Sequence, residues 1–219
     1  MSRLACLAVM LLIACDSTTV PERLASESYE YRLSTPALRV LRWPVGSTVR
    51  VFVAADADPA RTALLQNALA HAIGAWNSAA LYSEVELQQA AELASADAVL
   101  LFSSTPPPVD LSNCPRQGGV AITTFCLDPQ NPTRLALLPA LAGGGGGVKF
   151  LVTIASVVGD AEQVRRLVTH ELGHVLGIAQ HSPNATDLMY GNTLTTAFPS
   201  VADRATLQLL YHTRPDITP

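Results

Sequence analysis

The sequence predicts a single α+β domain, and three observations carry that expectation. First, a Val-rich alternating stretch is followed by one long helical run, several short apolar stretches and only then a second helix. That order is not the regular alternation of a doubly wound fold. Second, 219 residues are enough for one well-packed core and short for two. Third, 49% of the residues are hydrophobic and no long polar tract interrupts them, which fits a globular chain rather than a disordered one. The net charge of -4, with Lys149 the one lysine and the arginines scattered, offers no basic stripe for a nucleic acid.

The first fifteen residues stand apart. Arg3 provides a basic start, Leu4 to Ala14 form an apolar run too short to span a bilayer comfortably, and the run ends LIAC. This pattern resembles a bacterial lipoprotein signal, which implies lipidation of Cys15 and a soluble body anchored to a membrane facing the periplasm or exterior. An ordinary secretory signal with Cys15 near its cleavage site is the simpler alternative. Asp16 leaves the choice of membrane leaflet open. Residues 16–46 mix Ser, Thr, Glu and Pro and read as an extended tether.

Thr48 to Ala54 alternates and is rich in Val, which predicts the first strand. Pro59 then opens a helical run in which Leu65, Leu69, Ile73 and Trp76 form one apolar stripe. His71 lies within it and is assigned no function. Tyr82–Leu87, Ala98–Phe102, Gly119–Leu127 and Val148–Val158 read as further strands, separated by loops that include PPP and the run Gly143–Gly147. Those glycines are not followed by GK[ST], so they read as a flexible loop, not a phosphate cradle. Cys114 and Cys126 are close in sequence, lie in a chain expected outside the cytoplasm and have no nearby histidine, which predicts a disulfide. Asp160 is a suitable cap for a helix from about Ala161 to Leu176 that stops near Gly177.

That last helix carries HELGHVLGIAQHS, residues 170–182, with three of the chain's five histidines. His170 and His174 are one turn apart on one helix face, the spacing at which two imidazoles reach one zinc ion. Glu171 sits beside them without needing to be a ligand. HExxH arises by chance in roughly one 200-residue chain in 150, so the context decides. Gly177 can end the helix and turn the chain back, and His181 follows in the turn-like segment HSPNATD.

HELGHVLGIAQHS followed by TDLMYG resembles the metzincin metallopeptidases, especially their matrixin-like branch. The resemblance implies a twisted, mostly parallel sheet packed on an N-terminal helix and the zinc-motif helix, with a C-terminal helix. It further implies zinc held by His170, His174 and His181, Glu171 as the base acting on zinc-bound water, and Met189 in a turn beneath the metal. ALAHAIGAWNSA, ADAVLLF and VADRATLQLLYH resemble the family's first helix, central strand and C-terminal helix, so the expected catalytic domain spans 47–213, with 214–219 as a tail. Residues 191–199 would shape the pocket beside the metal.

One departure matters. The common spacing puts the third histidine where this chain has Gln180, one residue before His181. Either the loop after Gly177 carries an extra residue and His181 ligates, or the site is degraded with Gln180 nearby and zinc poorly held. Ser182 after His181 and the interval to Met189 favour the first. The function expected is a zinc metalloendopeptidase acting on extracytoplasmic peptides or proteins, as a monomer without a nucleic-acid partner. The alternatives are a catalytically impaired lipoprotein of the same fold that binds or supports, and an envelope lipoprotein with an accidental motif. A second, structural zinc has no histidines between His71 and His170 to hold it, calcium is left open without assigned ligands, and His212 reads as structural or exposed.

Overall fold

The computed structural model describes residues 22–34, 37–103, 114, 119–138 and 147–219. Cys15 with its signal, the PPP loop and most of the five-glycine run lie outside the described residues. The elements in chain order are α1 (Glu22–Glu27), β1 (Ser47–Val53), α2 (Pro59–Ala79), β2 (Val85–Gln89), β3 (Ala98–Ser103), β4 (Ala121–Thr124), β5 (Phe150–Ala155), α3 (Ala161–Val175) and α4 (Val201–His212). The five strands form one sheet in the order β2-β1-β3-β5-β4. The first four run parallel, and β4 closes one edge antiparallel to β5. The architecture is thus a mixed α+β fold whose twisted sheet packs against helices.

The central strands are apolar on both sides because each side has a cover. Leu100, Val152 and Ile154 join the main core with α2 and α3, whereas their neighbours Val99 and Leu151 join a smaller cluster with Val148, Leu138 and the two half-cystines. Cys114 and Cys126 are disulfide-bonded as expected, and the bridge covers that second face. Helix α2 buries Leu65, Leu69 and Trp76 at the expected spacing, while Ile73 is only partly buried against the core. Asp58 caps its N-terminus, and Pro59 occupies a first-turn position where no N–H is missed.

Helix α3 begins as predicted. The Asp160 carboxylate accepts from the Gln163 N–H at 2.7 Å, satisfying one of the four amides a helix start leaves open. Both tryptophans pin this helix by donating their indole N–H to its carbonyls, Trp76 to Thr169 at 2.7 Å and Trp43 to Val175 at 2.9 Å. Helix α4 starts with a capping box between Ser200 and Asp203.

Two expectations are corrected. The described part of the 16–46 tether is not free: it holds α1, and Tyr31, Leu33, Val40, Leu41 and Trp43 are buried in the main core. The 214–219 tail is not free either. Ile217 is fully buried, and its backbone exchanges hydrogen bonds with Val40 and Arg42, while Thr218 pairs with Thr133 and Leu135. The physical reason is shared. The buried stretches of both are short, extended and without internal periodicity, and Val40 and Arg42 find backbone partners in Asp216 and Ile217 at the other end of the chain.

Candidate metal centre

His170 and His174 sit in the last two turns of α3, both buried. Their Nδ1 atoms lie 2.8 Å from the Leu188 carbonyl and 2.6 Å from the Ile178 carbonyl. A carbonyl only accepts, so each Nδ1 carries the proton and each Nε2 is left with a lone pair for a metal. His181 completes the group from the loop beyond α3. The three rings form a nearly equilateral triangle, with centroids 4.9, 5.2 and 5.1 Å apart, and their ligand atoms lie within 4.8 Å of one another. A cluster of neutral imidazoles on this scale is able to coordinate a divalent metal.

The residue set fits such an ion electrostatically as well as geometrically. Burial holds the His170 imidazole down to about 4, with the neighbouring His181 adding to the effect. Burial lowers His174 and His181 too, and His174 is further lowered by the other two rings. All three are therefore uncharged at neutral pH, the protonation state in which imidazole ligates.

The chain after Gly177 turns back toward the two histidines. Gly177 adopts a φ of 109°, and a Cβ there would collide with the carbonyl of Leu41, so only glycine fits. The chain then turns alongside the N-terminal stretch, where the Ala179 N–H donates to the Tyr31 carbonyl at 2.8 Å and the Gln180 side-chain amide to the Arg32 carbonyl at 3.0 Å. Gln180 thus points its nitrogen at the Arg32 backbone, not at the two histidines of the helix. His181 is the residue brought to the other two histidines.

The segment beyond His181 fixes that register. The Ser182 N–H donates to the Met189 carbonyl at 2.7 Å, and the Ser182 hydroxyl donates to the buried Asp187 carboxylate at 2.5 Å. Asp187 therefore ties the residues after His181 to the turn that carries Met189. Met189 is fully buried beneath α3 at Gly173, where a Cβ would overlap its sulfur and the edge of Trp76. A Cβ at Gly191 would likewise collide with the His181 ring, 2.8 Å from Nδ1.

Asp203, at the start of α4, is a buried acceptor for four donors: the Leu188 N–H, the Met189 N–H, the Ser200 N–H and the Tyr29 hydroxyl, the last at 2.7 Å. Since the Leu188 carbonyl accepts from His170, one chain of hydrogen bonds joins Tyr29, Asp203, the turn and a member of the cluster. Burial and Asp203 push the Tyr29 phenol far up, so it remains a donor.

Glu171 is buried and lines the same pocket of about 80 Å³ as the three histidines, together with Tyr190, Asn192 and Leu194. It has no ion-pair partner among the described residues. The Thr123 hydroxyl, from the edge strand β4, donates to its Oε2 at 2.6 Å. Burial pushes the Glu171 carboxyl up to about 7, and the Thr123 bond offsets part of that rise.

Of the other sequence expectations, His71 is partly buried with its Nε2 2.9 Å from the Ala197 carbonyl, away from the cluster, and His212 is exposed at the end of α4. Thr123, Asp203 and Tyr29 are not singled out by the sequence. Thr123 carries no local signal, because only strand pairing brings it to Glu171. Asp203 has one, since S-x-x-D before an apolar run marks a capping box. No protein-family model matches this chain, and a search of curated proteins finds no match to it.

Proposed function

We propose that the protein is a zinc metalloendopeptidase of the metzincin type, hydrolysing peptide bonds of extracytoplasmic proteins or peptides. The observation that carries this reading is the meeting, in one pocket, of three converging imidazoles and a buried carboxyl group that has no ion-pair partner among the described residues. Such a carboxyl burdens a purely structural fold, and positions of this kind are characteristic of reaction centres. It therefore favours an enzyme over the alternative of an impaired binding protein.

Zinc held by His170, His174 and His181 would supply a Lewis acid that acidifies water and polarises the scissile carbonyl. The chain's own groups do the rest. The Leu188 and Ile178 carbonyls keep the His170 and His174 rings in the ligating tautomer and orientation. Thr123 occupies Glu171 Oε2, leaving Oε1 to take a proton from water and return it to the departing amine. Met189 fills the floor as a soft apolar support.

The same reading has the domain anchored through a lipid on Cys15 outside the cytoplasm. The Cys114–Cys126 disulfide supports an oxidising compartment, and no helix among the described residues is long and apolar enough to cross a membrane. Mass spectrometry of the mature N-terminus tests the anchor, and an unmodified Cys15 would remove it.

The activity is tested by peptide hydrolysis before and after chelation, with zinc restored, in wild type and in Glu171→Ala. The reading requires that chelation abolish cleavage, that zinc restore it, and that the variant bind zinc without cleaving. Cleavage that survives chelation would overturn it.

A further inference from the structure

A second pocket, of about 570 Å³, opens beside the histidine cluster. Val120, Leu167, Asn192 and Leu194 line both pockets, so the two adjoin. The second differs in character: Gln163, Arg166 and Thr193 join its wall, and no acidic residue among those described lines it. Its size lies within the range of about 300–1,000 Å³ usual for ligand pockets.

Arg166 is the charged group there, and its charge is incompletely matched. Glu162 is its ionic partner, but Glu162 is shared: one oxygen pairs with Arg165 at 2.6 Å and the other lies 3.4 Å from Arg166 Nε. One carboxylate between two guanidinium groups leaves a net positive charge. Moreover, the buried Nε of Arg166 donates no hydrogen bond to any described residue, while its Nη1 reaches the Leu194 carbonyl at 3.3 Å. Nε is closed off against Glu162, so the donors left to a ligand are those of the Nη groups, which make one long hydrogen bond among the described residues. A planar guanidinium in that state matches a carboxylate, which can accept two parallel N–H bonds. Gln163, Asn192 and Thr193 can hydrogen-bond the same group, and Val120, Leu167 and Leu194 flank the methylenes of its side chain.

We propose that Arg166 is a specificity-determining residue, selecting substrates with an aspartate or glutamate next to the scissile bond, its side chain seated in this pocket. The inference rests on the endopeptidase reading and names the side chain that site prefers. A preference for apolar residues would be expected from a pocket with only the Val120, Leu167 and Leu194 walls. The under-bonded guanidinium argues against that, because an apolar occupant would bury its remaining donors unsatisfied.

The test has two arms. In the first, zinc-loaded protein is incubated with a synthetic peptide library and the cleaved bonds are mapped by mass spectrometry. Asp and Glu should be enriched at one position flanking the cut. Arg166→Gln should reduce the ratio of kcat/KM for a Glu peptide over its Gln counterpart by about tenfold. Arg166→Glu should shift the preference to Lys, a gain that misfolding does not produce. In the second arm, binding of fluorescently labelled Glu and Gln peptides is followed by anisotropy in the zinc-loaded Glu171→Gln background, without turnover. Adding Arg166→Gln should weaken only the Glu peptide, again by about tenfold. Cleavage without acidic enrichment, or enrichment unchanged in Arg166→Gln, overturns the assignment and leaves the endopeptidase reading standing. If zinc-loaded wild type cleaves no peptide, the endopeptidase reading fails and this inference with it.

Discussion

Replacing Glu171 with glutamine separates what its carboxyl group costs the fold from its proposed part in peptide hydrolysis. In the metal-free protein, burial raises this group from 4.5 to about 7. The folded chain therefore keeps its proton up to about pH 7, whereas the unfolded chain loses it above 4.5. Stability falls as pH rises through that window, and the full penalty applies above it. At roughly 1.4 kcal/mol per pH unit, the penalty reaches about 3 kcal/mol at pH 8. Glutamine has nearly the same shape, keeps an oxygen to accept from Thr123 and carries no charge. Glu171→Gln should therefore stabilise the chelated protein by about 2–3 kcal/mol at pH 8 and by little at pH 4.5. For a domain of this size the gain corresponds to a Tm rise of roughly 5–10 °C. With zinc restored, the same variant should lose about 10²–10⁴-fold in kcat. The assays are thermal melts at the two pH values and peptide hydrolysis at saturating zinc. Equal stability of variant and wild type at pH 8 would refute the burial argument, and undiminished hydrolysis would refute the role of Glu171 as the base.

The same geometry predicts other outcomes. Folded His170 sits near 4 against 6.5 when unfolded, so the metal-free fold should lose about 3 kcal/mol to this residue as pH falls from 6.5 to below 4. Urea titrations of wild type and His170→Asn along that range read it, and the variant should lose less. Tyr29→Phe removes the hydroxyl that Asp203 accepts and should cost about 1.5–3 kcal/mol by urea denaturation, with a parallel loss of zinc affinity because Asp203 holds the turn that carries Leu188. Thr123→Val should lower kcat about tenfold or more while zinc content stays at one per chain, and Thr123→Ser should recover most of it; equal losses in both variants would point to packing instead.

How legible the site is depends on how local its determinants are. The pairing of His170 with His174, the capping role of Asp160 and the turn at Gly177 are written in helix geometry and are readable from residues 160–177 alone. His181 is readable from its interval to Met189, and the structure supplies the cause: Ser182 pairs with Met189, while Gln180 is drawn off toward Arg32. The N-terminal passes read wrongly as a tether because Tyr31, Leu33 and Val40 are isolated apolar residues whose partners lie elsewhere in the chain. Val40 meets Ile217, a pairing no periodicity announces. Thr123 belongs to the same class. Its strand is short, and what gives it meaning is the antiparallel edge that sets it against Glu171. Arg166, by contrast, is visible as a helix residue, but its incompletely matched charge emerges only when Glu162 is seen shared with Arg165.

The proposed centre is a zinc ion held by three imidazoles, the third from His181. X-ray absorption at the zinc edge on the purified protein, repeated on His181→Ala and Gln180→Ala, tests it most directly. One zinc per chain with three nitrogen ligands at about 2.0–2.1 Å is expected, retained in Gln180→Ala and lost or reduced to two imidazoles in His181→Ala. Zinc bound with full affinity and three imidazoles in His181→Ala, or lost only in Gln180→Ala, would contradict it.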